Sequence, residues 1–172
     1  ERYLPGVAEL DGFIVCAKSP SCGMERVRLY DENGNRGRKE GQGLFTAAMQ
    51  EKYPWLPVEE DGRLHDPMLR ENFVERVFAL HELNALRANG LTRHALLAFH
   101  SRYKLQLLAH NQAGYREIGP FIAHLHEWDD LEAFFVAYRD KLMTILQHPA
   151  SRKNHTNVLM HIQGYFREQL NP

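Results

Sequence analysis

The stretch "VEEDGRLHDPMLREN", residues 58–72, is where the chain changes texture. Before it, "LPVEEDG" reads as a short strand that ends in a glycine turn. Within it, Asp66-Pro67 marks a helix start: a carboxylate able to cap, then proline where a missing N–H costs nothing. After it, apolar residues recur at helical spacing to the end of the chain. The expected fold is therefore mainly α. A truncated α/β segment, residues 1–65, is followed by a five-helix all-α domain, residues 66–172, with the boundary near Gly62 to Asp66.

Working outward from that point, the first helix runs to about Asn89, with Gly90 as a left-handed stop. Thr92 caps a second helix through about Asn111. Further helices are expected from Gln112 to Glu127, Asp130 to His148 and Arg152 to Leu170. Asp129 and Glu132 have capping-box spacing, and Pro149 separates the last two helices. Upstream, "GFIVCAK" (12–18) reads as a buried strand, and "VRLYDENGNR" (27–36) turns at Asn33-Gly34. "GQGLFTAAMQEKY" (41–53) reads as a helix entered through glycines and stopped by Pro54. Two or three strands make an incomplete sheet, since a parallel sheet needs several strands and cover on both faces.

Composition narrows the function classes. A net charge of −1 gives no global argument for nucleic acid or an anionic membrane. No apolar run approaches the roughly 20 residues that span a bilayer, and no signal peptide is visible. Two cysteines are too few for a disulfide scaffold, which points to a reducing cytoplasm. Nine of the ten histidines follow residue 80. The chain opens at Glu1 without a methionine, which suggests processing or truncation.

Both cysteines lie in "CAKSPSCG", residues 16–23. A structural zinc site wants four ligands, and no histidine or CxxC is nearby. A disulfide between Cys16 and Cys22 is conceivable but foreign to a reducing compartment, and free cysteine is often simply buried. Against that plain reading, "SPSCG" directly follows a strand, the usual place for a site in an α/β domain. Gly23 would let a ligand approach the backbone, Ser19 and Ser21 supply hydroxyls, and Cys22 supplies a thiolate.

"KSPSCG" (18–23), "YD" (30–31) and "GQGLFTAAM" (41–49) together resemble the C-terminal half of the TudS-like 2-thiouracil desulfurase family. The resemblance implies a bacterial enzyme in which three cysteines hold a [4Fe–4S] cluster and the fourth iron takes sulfur from a thiolated nucleobase. It makes Cys22 one cluster ligand and gives Ser19 a catalytic role, with Lys18 adding charge nearby. The other two ligands belong to the family's N-terminal half, and Cys16 matches no family ligand position. Donor counting sharpens the expectation. A cuboidal cluster is normally held by three or four thiolates, and this chain has two cysteines. Neither a cluster nor desulfurase activity is expected of this polypeptide alone.

"RHALLAFHSRYKLQLLAHN" (93–111) is apolar over most of its circumference and should be central. Yet Arg93, His100, Lys104 and Asn111 fall within roughly 40° of one another on that helix, with Tyr103 and His110 on the shoulder and no acid in the segment. In the last helix Asn154, Asn157, His161 and Tyr165 share a face, with Arg152 and Lys153 at its start. Val158, Leu159, Ile162, Phe166 and Leu170 fill much of the remainder. If the stripes face each other they form a polar groove for a phosphate, a carboxylate or a base edge. The alternatives are a buried hydrogen-bond network that fixes helix register, or a metal site.

"FHSRYKLQLLAHNQAGYREIG" (99–119) and "RKNHTNVLMHIQGYFREQL" (152–170) resemble the YbgA-like helical family, which carries no catalytic activity to transfer. Two function classes follow. One is a desulfurase of thiolated nucleobases with a helical accessory domain. The other is a non-catalytic helical module that binds a phosphate-bearing ligand, RNA or a protein partner. Exposed strand edges add a homodimer as a third expectation.

Overall fold

Asp66 caps the helix that follows it. Its Oδ1 accepts the N–H groups of Met68 at 2.8 Å and Leu69 at 3.1 Å, and Pro67 is the first helical residue. The structure, a computed structural model, describes residues 4–34 and 36–167. It divides into two compact units, residues 1–80 and 81–172, and the division falls inside this helix.

In the first unit, β1 (Phe13–Val15) pairs in parallel with β4 (Val58–Glu60), in the register Phe13 to Val58 and Val15 to Glu60. Between them the chain makes an antiparallel hairpin, β2 (Val27–Tyr30) with β3 (Arg36–Gly41), and then α1 (Leu44–Lys52). Gly34 sits in the hairpin turn at φ +76°, the left-handed region glycine favours. Each sheet has two strands, so this is a small α/β segment as expected. β1 is not a buried strand, however: Ile14 is 54% exposed and only Val15 is fully covered. A short apolar run cannot show whether both of its faces will be covered. β4 is buried along its whole length, including the side chains of Glu59 and Glu60. The core gathers Val7, Val15, Val27, Met49, Leu56 and Val58.

The second unit takes the C-terminal part of α2 (Pro67–Ala88), then α3 (Arg93–His110), α4 (Gln112–Ala123), α5 (Leu131–Leu146) and α6 (Arg152–Tyr165). With α2, five α-helices follow residue 66. Gly90 ends α2 at φ +94°. Polar caps open the rest: Thr92 Oγ1 accepts Ala95 N–H, Asn111 Oδ1 accepts Gly114 N–H, and Ser151 Oγ accepts Asn154 N–H. The cap of α5 is Asp130, which accepts the N–H groups of Glu132 and Ala133, and not Asp129. The helix expected over 112–127 ends at Ala123, and a 3₁₀ turn follows over His124–Glu127.

α3 is the buried centre, with Leu96, Phe99, Tyr103, Leu107 and Leu108 inside. Phe134, Phe135, Tyr138 and Leu142 of α5 are fully covered. None of the residues of α6 is buried: Leu159 is 64% exposed, and Phe166, just past the helix end, is 53% exposed. Leu170 lies outside the described residues. No helix among them is long and apolar enough to cross a membrane.

Candidate functional site

The cysteine loop leaves the carboxyl end of β1 and is bound to the start of α1. Lys18 adopts φ +61°, which turns the chain so that the next five residues fold back. Ser19 Oγ accepts the N–H groups of Ser21 at 3.3 Å and Cys22 at 3.2 Å, and Ser19 O accepts Gly23 N–H at 2.8 Å. A Cβ on Gly23 would sit 2.6 Å from Val27 and 2.8 Å from Ser19 O. The glycine therefore admits the loop's own backbone and a core valine, not a ligand.

Three successive amides at the start of α1 are taken by loop carbonyls. Gly43 N–H donates to Gly23 O at 2.7 Å, Leu44 to Pro20 O at 3.3 Å and Phe45 to Ser21 O at 2.8 Å. The fully buried Thr46 hydroxyl donates to Cys22 O at 2.6 Å. Contact is close enough that a Cβ on Gly43 would meet Cys22 N at 2.5 Å. Below the loop, the buried Glu60 carboxylate accepts Met24 N–H at 2.7 Å and Glu25 N–H at 3.2 Å. Sequence reading missed Gly43, Thr46 and Glu60 as supports. The paired glycines of "GQG" were the available sign, whereas Glu60 gave none.

Charge is arranged just beyond. Arg63 Nε donates to Glu59 Oε1 at 2.6 Å and its Nη1 to Glu25 Oε1 at 3.0 Å. The Glu59 bond raises the Arg63 guanidinium above its usual value. Arg76 is 91% buried and its Nε has no hydrogen-bond partner; burial pushes it down to about 10, against the attraction of Glu59. Asp61 accepts the N–H groups of Ala17 and Gly62, which hold its carboxyl below the usual range.

Cys16 is exposed and Cys22 half-buried, and both are free thiols. The chemistry of the donor set decides the fit to a cluster: two cysteines fall short of three or four thiolates. The residues of this chain do not hold such a group by themselves.

In the helical unit, α6 runs beside α3 and the two stripes meet only in part. Lys104 Nζ lies 5.7 Å from the centre of the Tyr165 ring, and Asn154 Nδ2 donates to Ala109 O at 2.9 Å. His100 turns to α5 instead, with Nδ1 3.0 Å from the Tyr138 hydroxyl. Burial, and then the Lys104 charge, hold His100 below its ordinary value. Burial pushes the Tyr138 hydroxyl far up, and burial with Glu82 raises Tyr103 to about 12. The Arg93 guanidinium donates to Trp128 O at 2.7 Å. Asn111 caps α4, with its Nδ2 3.4 Å from His148 Nδ1. Asn157 is half-buried and His161 exposed. His110 is buried, with Nδ1 2.7 Å from His148 O. Register-fixing and an open polar face thus share the two stripes. Among the described residues no three of His, Cys, Asp or Glu gather as a metal site.

Comparison with known proteins finds a likeness for each part. Residues 3–61 match the family described as 2-thiouracil desulfurase, and residues 104–172 match a protein family of unknown function, DUF1722. The uncharacterized protein YbgA of Escherichia coli (strain K12) is 55% identical over 95 residues, covering 55% of this chain and 56% of that protein. The chain thus spans about half the length of this curated relative. No solved structure matches it. The desulfurase-like part is N-terminal in the chain, and its equation with the C-terminal half of the family's domain rests on the "KSPSCG" and "GQGLFTAAM" motifs alone. The chain is a fusion of a 2-thiouracil desulfurase-like segment with a YbgA-like, DUF1722 segment.

Proposed function

We propose that this chain is the part of a thiolated-nucleobase desulfurase that presents Cys22 and Ser19 to the reaction site. The observation that supports it is the fixed loop at the carboxyl end of the parallel β1–β4 pair. That end is where open α/β sheets place their ligands, and Thr46, Gly43 and Glu60 hold the loop from two sides. Cys22 is offered as one thiolate of an iron–sulfur set whose remaining donors come from outside these 172 residues. Alone, the chain is inactive.

Ser19 has a specific capability. Its oxygen accepts two backbone N–H groups, which leaves its own proton free to donate. It can therefore orient a substrate heteroatom or pass it a proton while still shaping the loop. The site lies in a cytoplasmic protein on this reading.

The test compares this chain with a longer parent reading frame. Both are reconstituted anaerobically with iron and sulfide and assayed for sulfide release from 2-thiouracil. Activity is expected in the longer form only, abolished by Cys22→Ser and reduced about 100-fold or more by Ser19→Ala, the usual range for loss of a positioned proton donor. Activity indifferent to both substitutions would sink the proposal.

A further inference from the structure

We propose that the open face of α3 and α6 binds single-stranded RNA, an activity separate from the cysteine loop. The first observation is charge. None of the chain's 22 acidic residues lies on α3 or α6, although these helices carry Arg93, Arg102, Lys104, Arg152 and Lys153. Arg102 is matched by Glu82 at 3.0 Å. Among the described residues the other four have no carboxylate within ion-pairing distance. Among the described residues, two adjoining helices of a protein with a net charge of −1 thus carry cations that no carboxylate pairs.

The second observation is the aromatic content of the same face. Tyr165 is 67% exposed, and the Lys104 ammonium covers one side of its ring. His161 is exposed one turn away on the same helix face, and Phe166 follows at 53%. Cations that track a backbone, interleaved with open rings on which bases stack, are how proteins hold unpaired strands. Paired bases would offer no free face to Tyr165.

The third observation sets the size of the ligand. α6 has no buried residue, so the face is open. A free nucleotide would require a concave pocket that covers most of its surface, whereas a strand can lie along an open helix pair. The choice of RNA rests on the uracil chemistry of the desulfurase-like segment; the charge and aromatic arguments do not.

The experiment uses the whole chain and a fluorescein-labelled oligouridylate of about a dozen nucleotides, within the site sizes known for strand-binding surfaces. Binding is read by anisotropy between about 20 and 200 mM salt. A Kd no weaker than about 100 µM is expected, weakening steeply with salt. Lys104→Gln should weaken it about threefold and lower the salt slope by about 0.7. Tyr165→Leu, which keeps the apolar bulk, should weaken it about fivefold or more. Lys39→Gln, on the hairpin, should change nothing. If Tyr165→Leu loses its helical circular dichroism, Lys104→Gln decides alone.

Three outcomes overturn the proposal. One is no binding at about 100 µM protein in low salt. Another is binding that ignores both variants. The third is sedimentation that shows a dimer disrupted by Leu159→Asp, which would give the face to a second copy. No arm of this experiment needs iron, sulfide or the missing thiolates. Its failure therefore leaves the desulfurase reading standing, whereas failure of that reading would leave strand binding at this face and remove only the reason for choosing RNA.

Discussion

Replacing Gly43 with alanine sets two physical arguments against each other. Gly43 has φ −66° and ψ 137°, a conformation open to any L-residue. On backbone grounds alone the change should stabilise by about 0.4–1 kcal/mol, because the unfolded chain loses freedom. Packing argues the reverse. The new Cβ would lie 2.5 Å from Cys22 N and from the Ser21 carbonyl carbon, and 2.6 Å from Ser21 O. All three are backbone atoms, so no side chain can swing aside and the loop itself must move. Overpacking costs about 1–3 kcal/mol, and each of the three amide bonds the shift lengthens carries about 1 kcal/mol. The net expectation is a loss of about 3 kcal/mol in the first unit. Trp55 is buried there while Trp128 belongs to the second unit, so urea unfolding in a Trp128→Phe background reports the right one. With a slope of about 1.5–3 kcal/mol per molar urea, the midpoint should fall by about 1–2 M. A midpoint that is unchanged or higher refutes the claim that α1 and the cysteine loop are packed backbone to backbone.

Three further outcomes are expected. Asp130→Ala should cost the helical unit about 1 kcal/mol while Asp129→Ala costs almost nothing, and a melting experiment that ranks them the other way round removes Asp130 as the cap. Glu59→Gln should cost about 2–3 kcal/mol, since Arg76 and Arg63 lose their shared carboxylate. The loss is below the usual figure for a broken buried pair because Arg63 keeps 31% of its side-chain surface in water; denaturant unfolding reads it. For His100 the sign follows from its lowered native value. Below about pH 6.5 the unfolded chain binds a proton that the native state resists, so stability rises with pH across that window and falls as the solution acidifies. The drop in melting temperature between about pH 7.5 and pH 5 should shrink in His100→Gln, and an equal drop in both proteins would remove His100 from the account.

What could be read in advance was whatever is decided within a few residues. The caps at Asp66 and Thr92, and the left-handed glycines at 34 and 90, sit beside the elements they start or stop. Asp129 and Asp130 could not be told apart, because either carboxylate can reach an amide two or three residues on. β1 was misjudged because an apolar run shows which residues favour burial, but not whether another element covers them. The supports of the candidate site were least legible. Thr46 reaches Cys22 across 24 residues and Glu60 reaches Met24 across 36, and no local pattern records such a meeting. Ser19 and Cys22 are candidates through motif resemblance, with spacing giving only that a site after a strand was plausible.

The saturation of the first amides of α1 has a consequence for substrate choice. Helix starts commonly serve as phosphate cradles, but here residues 43 to 45 already donate to the carbonyls of Gly23, Pro20 and Ser21. A thiolated base arriving beside Cys22 would therefore gain nothing at this helix end from a 5′-phosphate. Any preference for nucleotides over bare bases has to be written elsewhere in the protein.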